Sequence, residues 1–255
     1  MRPGFAGLLQ RTATRLKRTA VAGICAGALL QGAVSLGAVS AAVAGDTPVV
    51  VELFTSQGCS ACPPADALLG ELAKRSDVIP LALHVDYWDY IGWKDIFAKP
   101  EFTKRQKAYA YSRGRNMIYT PEMVIDGRKE VMGMREMEVA EAIIKARATP
   151  DLTRVILTRR GGKIEIRAEA LGDLGGKVWV QLVSFTPQHV VRITRGENAG
   201  KTVTYNNIVT RWQRLRDWDG KAPLRLQVAA DGEQSMVVLL QRPGPGKIVG
   251  AAILR

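Results

Sequence analysis

The hydrophobic pattern of this chain changes character near residue 148. Residues 49–54, VVVELF, form an apolar run rich in β-branched residues and interrupted only by Glu52. Such a run suits a strand buried on both faces, as in parallel sheets. In the following PPADALLGELAKR, residues Ala65, Leu68, Leu69, Leu72 and Ala73 recur at the spacing of one helix face. Pro63 is tolerated in a first turn, and Asp66 there suits the positive end of the helix dipole. VIPLALHV (78–85) predicts a second buried strand, and the aromatic, irregular DYWDYIGWKDIFAKP predicts a loop or insert. PEFTKRQKAYAYSR predicts a helix with Phe102, Arg105, Gln106 and Tyr109 along one side. EMVIDG (122–127) reads as a third strand ending in an Asp-Gly turn, with EVMGM (130–134) as its hairpin partner. REMEVAEAIIKAR (135–147) predicts a closing helix with Ala140, Ile143 and Ile144 inward.

Beyond Ala148-Thr149-Pro150 the period becomes two. Ile164, Ile166, Ala168 and Ala170 alternate with charged residues. Val178, Val180 and Leu182 alternate with Trp179, Gln181 and Val183, and Leu224, Leu226 and Val228 alternate with Arg225 and Gln227. Arg160-Gly161-Gly162-Lys163 and Pro243-Gly244-Pro245-Gly246 are turn signals. The pattern therefore predicts an α/β domain over 45–149, followed by a mostly antiparallel β-sandwich-like domain over 150–255. Neither an internal repeat nor a low-complexity tract is present.

The first 44 residues read differently. Arg2, Arg11, Arg15, Lys17 and Arg18 precede a long stretch rich in Gly, Ala and Ser that closes on Ala42-Val43-Ala44. This is the layout of a signal peptide over 1–44, cleaved near Ala44, and it predicts a periplasmic or secreted protein. The apolar stretch is also long enough for an uncleaved anchor. Cleavage removes Cys25 and five positive charges, taking the net charge from +12 to +7. It leaves no stable membrane span, and no basic run with interleaved aromatics points to nucleic acid.

Cys59 and Cys62 are then the only cysteines of the mature chain, in a compartment where disulfides persist. A strand, a short loop, Cys59-Ser60-Ala61-Cys62 and an immediate helix form a specific arrangement. Free N–H groups and the dipole at a helix start favour thiolate over thiol. Cys59 is the expected exposed attacking sulfur and Cys62, one turn in, the buried resolving one. A purely structural Cys59–Cys62 bridge is the rival reading, although so short a loop gains little from closure. Two cysteines supply half of a tetrahedral metal shell; Cu(I) could use Cys59 and Cys62 with His84. No other cofactor is implied.

VVVELFTSQGCSACPPAD, HVDYWDYIGWKD, RQKAYA and YTPEMVIDG together resemble the thioredoxin superfamily. More narrowly, they resemble the secreted bacterial family called domain of unknown function 1223. RGENAGKTVTYNNIV extends that likeness into the second half. The resemblance implies a thioredoxin-like fold with an appended β domain and brings no established reaction. It implies a cis peptide at Thr120-Pro121, facing the cysteines and offering backbone to an extended substrate. It also suggests Glu52 as a buried acid behind Cys62, the alternative being that Glu52 pairs with a basic residue. Glu122 stands where the family usually carries glutamine, and a carboxylate there would oppose thiolate formation.

His84 and Asp86 sit at the carboxyl end of the second strand, where ligand and catalytic groups gather in open α/β sheets. Histidine there could act as acid or base, or serve as a hydrogen-bonded core residue. Trp88, Tyr90 and Trp93 could wall the cysteines or form the core of the insert. The function expected is thiol–disulfide exchange with a protein or small-molecule substrate, through Cys59 and Cys62, with Thr120 and Pro121 positioning it. A non-catalytic binding module with a structural disulfide and a Cu(I)-handling protein are the alternatives.

Overall fold

The apolar run at 49–54 becomes a central strand, β1 (Val49–Thr55), in which all seven residues are buried. The computed structural model describes residues 47–230 and 234–255. The leader expected over 1–44, with Cys25, lies outside them. After β1 come α1 (Pro63–Leu72), β2 (Val78–His84) and α2 (Pro100–Ser112), with a short 3-10 turn, Asp89–Ile91, in the insert between the last two. β3 (Glu122–Ile125), β4 (Lys129–Met132) and α3 (Glu136–Arg147) complete the first half. These elements fall where the hydrophobic pattern places them.

The second half is built of strands: β5 (Thr153–Arg160), β6 (Lys163–Ala170), β7 (Val178–Arg192), β8 (Thr202–Trp218), β9 (Leu224–Ala229), β10 (Ser235–Gln241) and β11 (Ile248–Leu254). The boundary expected at residue 149 falls in the loop after α3, yet strands beyond it extend the sheet built before it. One mixed sheet of eight strands runs β11-β10-β7-β8-β2-β1-β3-β4, and β5-β6-β9 form a second sheet. β2 lies parallel to both β1 and β8; the other neighbours in the large sheet are antiparallel. The described residues belong to one compact unit.

Within the large sheet the two halves join at a single strand pair, while their side chains share a common core. β8 meets β2 through the pair Ala82 and Ile208. Beside it Asn207 adopts φ 47°, a conformation asparagine tolerates far better than a β-branched residue. Its Nδ2 donates to the carbonyl of Pro80 at 2.8 Å, so a side chain satisfies a buried backbone acceptor there.

Parity along β1 decides what each layer receives. Val50 and Phe54 pack with Phe102 and Tyr109 on the α2 side. Val49, Val51 and Leu53 pack with Leu69, Leu72, Val139 and Ile143 on the side of α1 and α3. Burying each such side chain contributes about 1.5–3 kcal/mol, which favours a strand covered on both faces. A third core lies between the small sheet and the outer strands of the large one, where Leu157 and Ile166 meet Val180 and Val238.

Two details differ from the expected pattern. α3 buries Val139, Ala142 and Ile143, whereas Ala140 and Ile144 face solvent. Its apolar residues cover more than one stripe, and contact with β1, β3 and β4 selects the phase. Both sets of alternating residues on β7 from Val180 to Phe185 are buried, because that strand is covered on both faces. Gln181, expected outward, bonds instead with Gln241 and Trp212. Among the described residues no helix is long and apolar enough to cross a membrane.

Candidate functional site

β1 ends at Thr55 and delivers the chain into a tight turn whose last residues lead straight into α1. Cys59 N–H donates to the carbonyl of Ser56, and Cys62 N–H to that of Cys59. Cys62 is the N-cap of α1, Pro63 opens the helix, and Cys59 and Cys62 are joined as a disulfide. Cys59 is 1% exposed and Cys62 fully buried, while Ser60 and Ala61 between them face solvent. The expected contrast of an exposed Cys59 with a buried Cys62 is therefore corrected. The turn carrying Cys59 packs under the insert: a Cβ on Gly58 would stand 3.1 Å from the Cβ of Trp88.

Glu52 is not on the α1 side of the sheet, where the cysteine turn leads. By its parity Glu52 points to the α2 side, away from α1, where Arg105 grips both its oxygens at 2.6 and 2.9 Å and the Tyr109 hydroxyl donates to it. On the α1 side stands Asp66, one turn after Cys62, whose carbonyl accepts from the Asp66 N–H. Asp66 is 2% exposed and accepts a hydrogen bond from Thr55 Oγ1 at 2.8 Å. Burial pushes its carboxyl up to about 7, against the opposing pull of His84 and the Thr55 bond. A polar residue on the otherwise apolar face of Ala65, Leu69 and Leu72 was the sequence signal for it.

His84 extends the same buried polar layer. Its Nδ1 lies 2.7 Å from Asp95 Oδ2, and its ring packs edge-on against Phe97 and Tyr205. Burial works against the charge of Asp95, but His84 and backbone N–H donors of Gln57 and Phe97 hold the carboxyl below its usual range. His84 Nε2 and Asp66 Oδ2 are both buried without a hydrogen-bond partner among the described residues. Asp95 comes from the irregular insert and had no sequence signal as a partner of His84. Asp86 lies apart from this layer: its carboxylate accepts from Thr103 Oγ1 at the start of α2.

The Thr120–Pro121 peptide is cis. Pro121 is buried, and its carbonyl accepts from the N–H of Gly133. A Cβ on Gly133 would stand 3.0 Å from that of Ala65 and 3.1 Å from that of Pro121, which places the proline beside the first turn of α1. Thr120 Oγ1 accepts from Trp88 Nε1 at 2.7 Å. Trp88 and Trp93 thus flank the cysteine turn, whereas Tyr90 is 82% exposed and does not. Glu122 is fully buried beyond Pro121, with its carboxyl raised by burial and its oxygens taken up by Gln106 and Arg115. Its charge is thereby committed within its own cluster.

Chemically, the arrangement offers one disulfide at a helix start, one buried acid that titrates near neutrality, and a shielded His84–Asp95 pair. His84, the third ligand in the Cu(I) reading, bonds Asp95 through Nδ1 and keeps Nε2 without a hydrogen-bond partner among the described residues. Among the described residues no group of three His, Cys, Asp or Glu side chains is placed to hold a metal ion.

No curated protein matches the chain. Among solved structures, a crystal structure of a protein from Agrobacterium tumefaciens is 35% identical, with a TM-score of 0.73. The match covers 83% of this chain and 96% of that one. HBP35 of Porphyromonas gingivalis aligns over 83% of this chain and 76% of its own, at 12% identity and a TM-score of 0.57, a likeness of fold alone. The family described as "Protein of unknown function (DUF1223)" matches residues 50–241, a span that takes in both the cysteine turn and the β7–β8 hairpin, and the chain belongs to that family.

Proposed function

We propose that this chain is an exported thiol–disulfide exchange protein whose first half is a thioredoxin-like domain acting through Cys59 and Cys62. The observation that carries the reading is a Cys59–Cys62 disulfide at the start of α1 with a buried, near-neutral acid one turn behind it. The cis Thr120–Pro121 peptide beside the same turn, and the order of strands and helices up to α3, also support it.

In this reading a partner thiolate attacks Sγ of Cys59. A mixed disulfide forms, the Cys59–Cys62 bond breaks, and its electron pair leaves on Cys62. Asp66, protonated below about pH 7, supplies the proton that turns the Cys62 thiolate into a thiol. A second thiolate of the partner then attacks the mixed disulfide and releases Cys59, so the partner ends oxidised and the pair reduced. The reverse sequence oxidises the pair, with Asp66 taking the proton back. The leader over 1–44 directs the chain to the periplasm or beyond, in keeping with an oxidised resting pair.

The burial of Cys59 favours a second reading, a binding module with an inert bridge. Titration against glutathione buffers separates the two. Exchange predicts a reduction potential above roughly −300 mV and a mixed disulfide trapped on Cys59 in Cys62→Ser. A pair that resists glutathione throughout, with nothing trapped in that variant, refutes exchange and leaves the inert bridge.

A further inference from the structure

The tip of the β7–β8 hairpin, residues 193–201, reaches across to the cysteine turn and contributes a buried side chain to it. Asn198 is 1% exposed. Its Nδ2 donates to the carbonyls of Gln57 and of Cys59, each at 2.9 Å. Its Oδ1 accepts from Lys201 Nζ at 2.8 Å. The amide therefore spends both hydrogens on the backbone of the turn that presents the disulfide.

The hairpin tip does not need that side chain for its own shape. Backbone bonds close it: Ile193 N–H to the carbonyl of Lys201, Gly200 N–H to that of Ile193, Ala199 N–H to that of Gly196 and Lys201 N–H to that of Asn198. Nor does the tip float free. Gly196, at φ +74°, approaches so closely that a Cβ would stand 3.1 Å from that of Trp93. Val191, Ile193 and Tyr205 pack with Trp93 and Phe97 into a small apolar cluster that seats the hairpin on the insert. From the insert side, Asp95 Oδ2 accepts the Gln57 N–H at 2.8 Å, and Trp93 Nε1 donates to Gln57 Oε1 at 2.8 Å. The 57–59 turn is thus gripped from two sides, and its cysteine is 1% exposed.

The geometry points to Asn198 as a positioning residue for the disulfide: it latches residues 57–59 shut, so a thiol reaches Cys59 Sγ only when the 193–201 tip lifts. The inference rests on the exchange reading above and gives the second half a task in it. The latch leaves the bonds exchanged unaltered and governs the rate of the first attack, in which the partner thiolate bonds to Cys59 and Cys62 departs as thiolate.

The test is the rate at which dithiothreitol reduces the oxidised protein, followed by acid quench and thiol alkylation; the reagent supplies both electrons and leaves as its cyclic disulfide. Asn198→Ala and Asn198→Asp, which remove the two donated bonds, are expected to raise the rate on the order of ten-fold. Lys201→Met, at an exposed position, frees one end of the amide and is expected to give a smaller rise; it carries the test should the Asn198 variants fail to fold. Ile166→Ala, buried in the distant small sheet, serves as a control that lowers Tm without touching the turn and is expected to leave the rate unchanged. Asn198 and Lys201 variants reduced at the wild-type rate, or equal acceleration by Ile166→Ala, overturn the latch while leaving exchange intact. Resistance to dithiothreitol in wild type and every variant overturns the latch together with the exchange reading.

Discussion

Replacing Asp66 by asparagine tests the most unusual group in the site. The substitution keeps the shape and an oxygen for the Thr55 hydroxyl, and it removes only the ionisable proton. In the unfolded chain the carboxyl titrates near its ordinary value of 3.8; in the folded chain burial pushes it up to about 7. Below pH 3.8 both states hold the proton, and folding is most favourable with respect to this group. Between 3.8 and about 7 the unfolded chain has released its proton while the folded chain keeps it, so stability falls by about 1.4 kcal/mol per pH unit. Above pH 7 the loss is complete, and the shift corresponds to roughly 4 kcal/mol. Urea denaturation of oxidised wild type and Asp66→Asn at pH 4.5, 6 and 8 reads this directly. The variant is expected to gain on wild type with rising pH and to lead by roughly 4 kcal/mol at pH 8. Asp126, whose carboxyl burial raises to about 6, contributes a slope of the same sign to both proteins and cancels in the difference. A difference that stays flat from pH 4.5 to 8 would refute the reasoning, because it would mean that Asp66 is already ionised in the fold and holds no proton for Cys62.

Two further substitutions probe the surroundings. Glu52→Gln leaves Arg105 without its anionic partner in the interior and is expected to cost about 3–5 kcal/mol in urea denaturation. The Cys59–Cys62 reduction potential should not move; a clear shift would return Glu52 to the site. Gly133→Val forces a side chain between Ala65 and Pro121, where a first Cβ already stands 3.0–3.1 Å from both. The expected cost is about 1–3 kcal/mol, with slower formation of the mixed disulfide in the same trapping assay; wild-type stability and trapping would show that the proline and α1 are not in tight register.

Period and turn chemistry carried much of the first half. The strands at 49 and 78, the helices at 63, 100 and 136 and the hairpin after residue 122 all rest on local alternation, and local alternation is what a sequence displays directly. The same rule, pressed one step further, separates the two candidate acids. Glu52 shares parity with Val50 and Phe54, so it faces α2; Thr55 shares parity with Leu53, so it faces α1 and meets Asp66. The phase of α3 was not readable in that way, since its apolar residues fill two adjacent stripes and only packing chooses between them.

Long-range partners were not legible, because nothing in residue order states a distance across a fold. Asp95 reaches His84 from an insert without regular period, and Asn198 reaches Cys59 across 139 positions of chain. The two halves look separable by pattern, one helical and one alternating, yet a pair of residues on β2 and β8 joins them into one sheet. The sequence by itself determined which elements form in the first half and which two sulfurs can meet, since both follow from spacing within a few residues. Only the tertiary structure decided that the disulfide is buried, which carboxyl is buried on the α1 side and which distant residue bonds to the cysteine turn. Burial and charge coupling depend on what other segments bring to the same point in space.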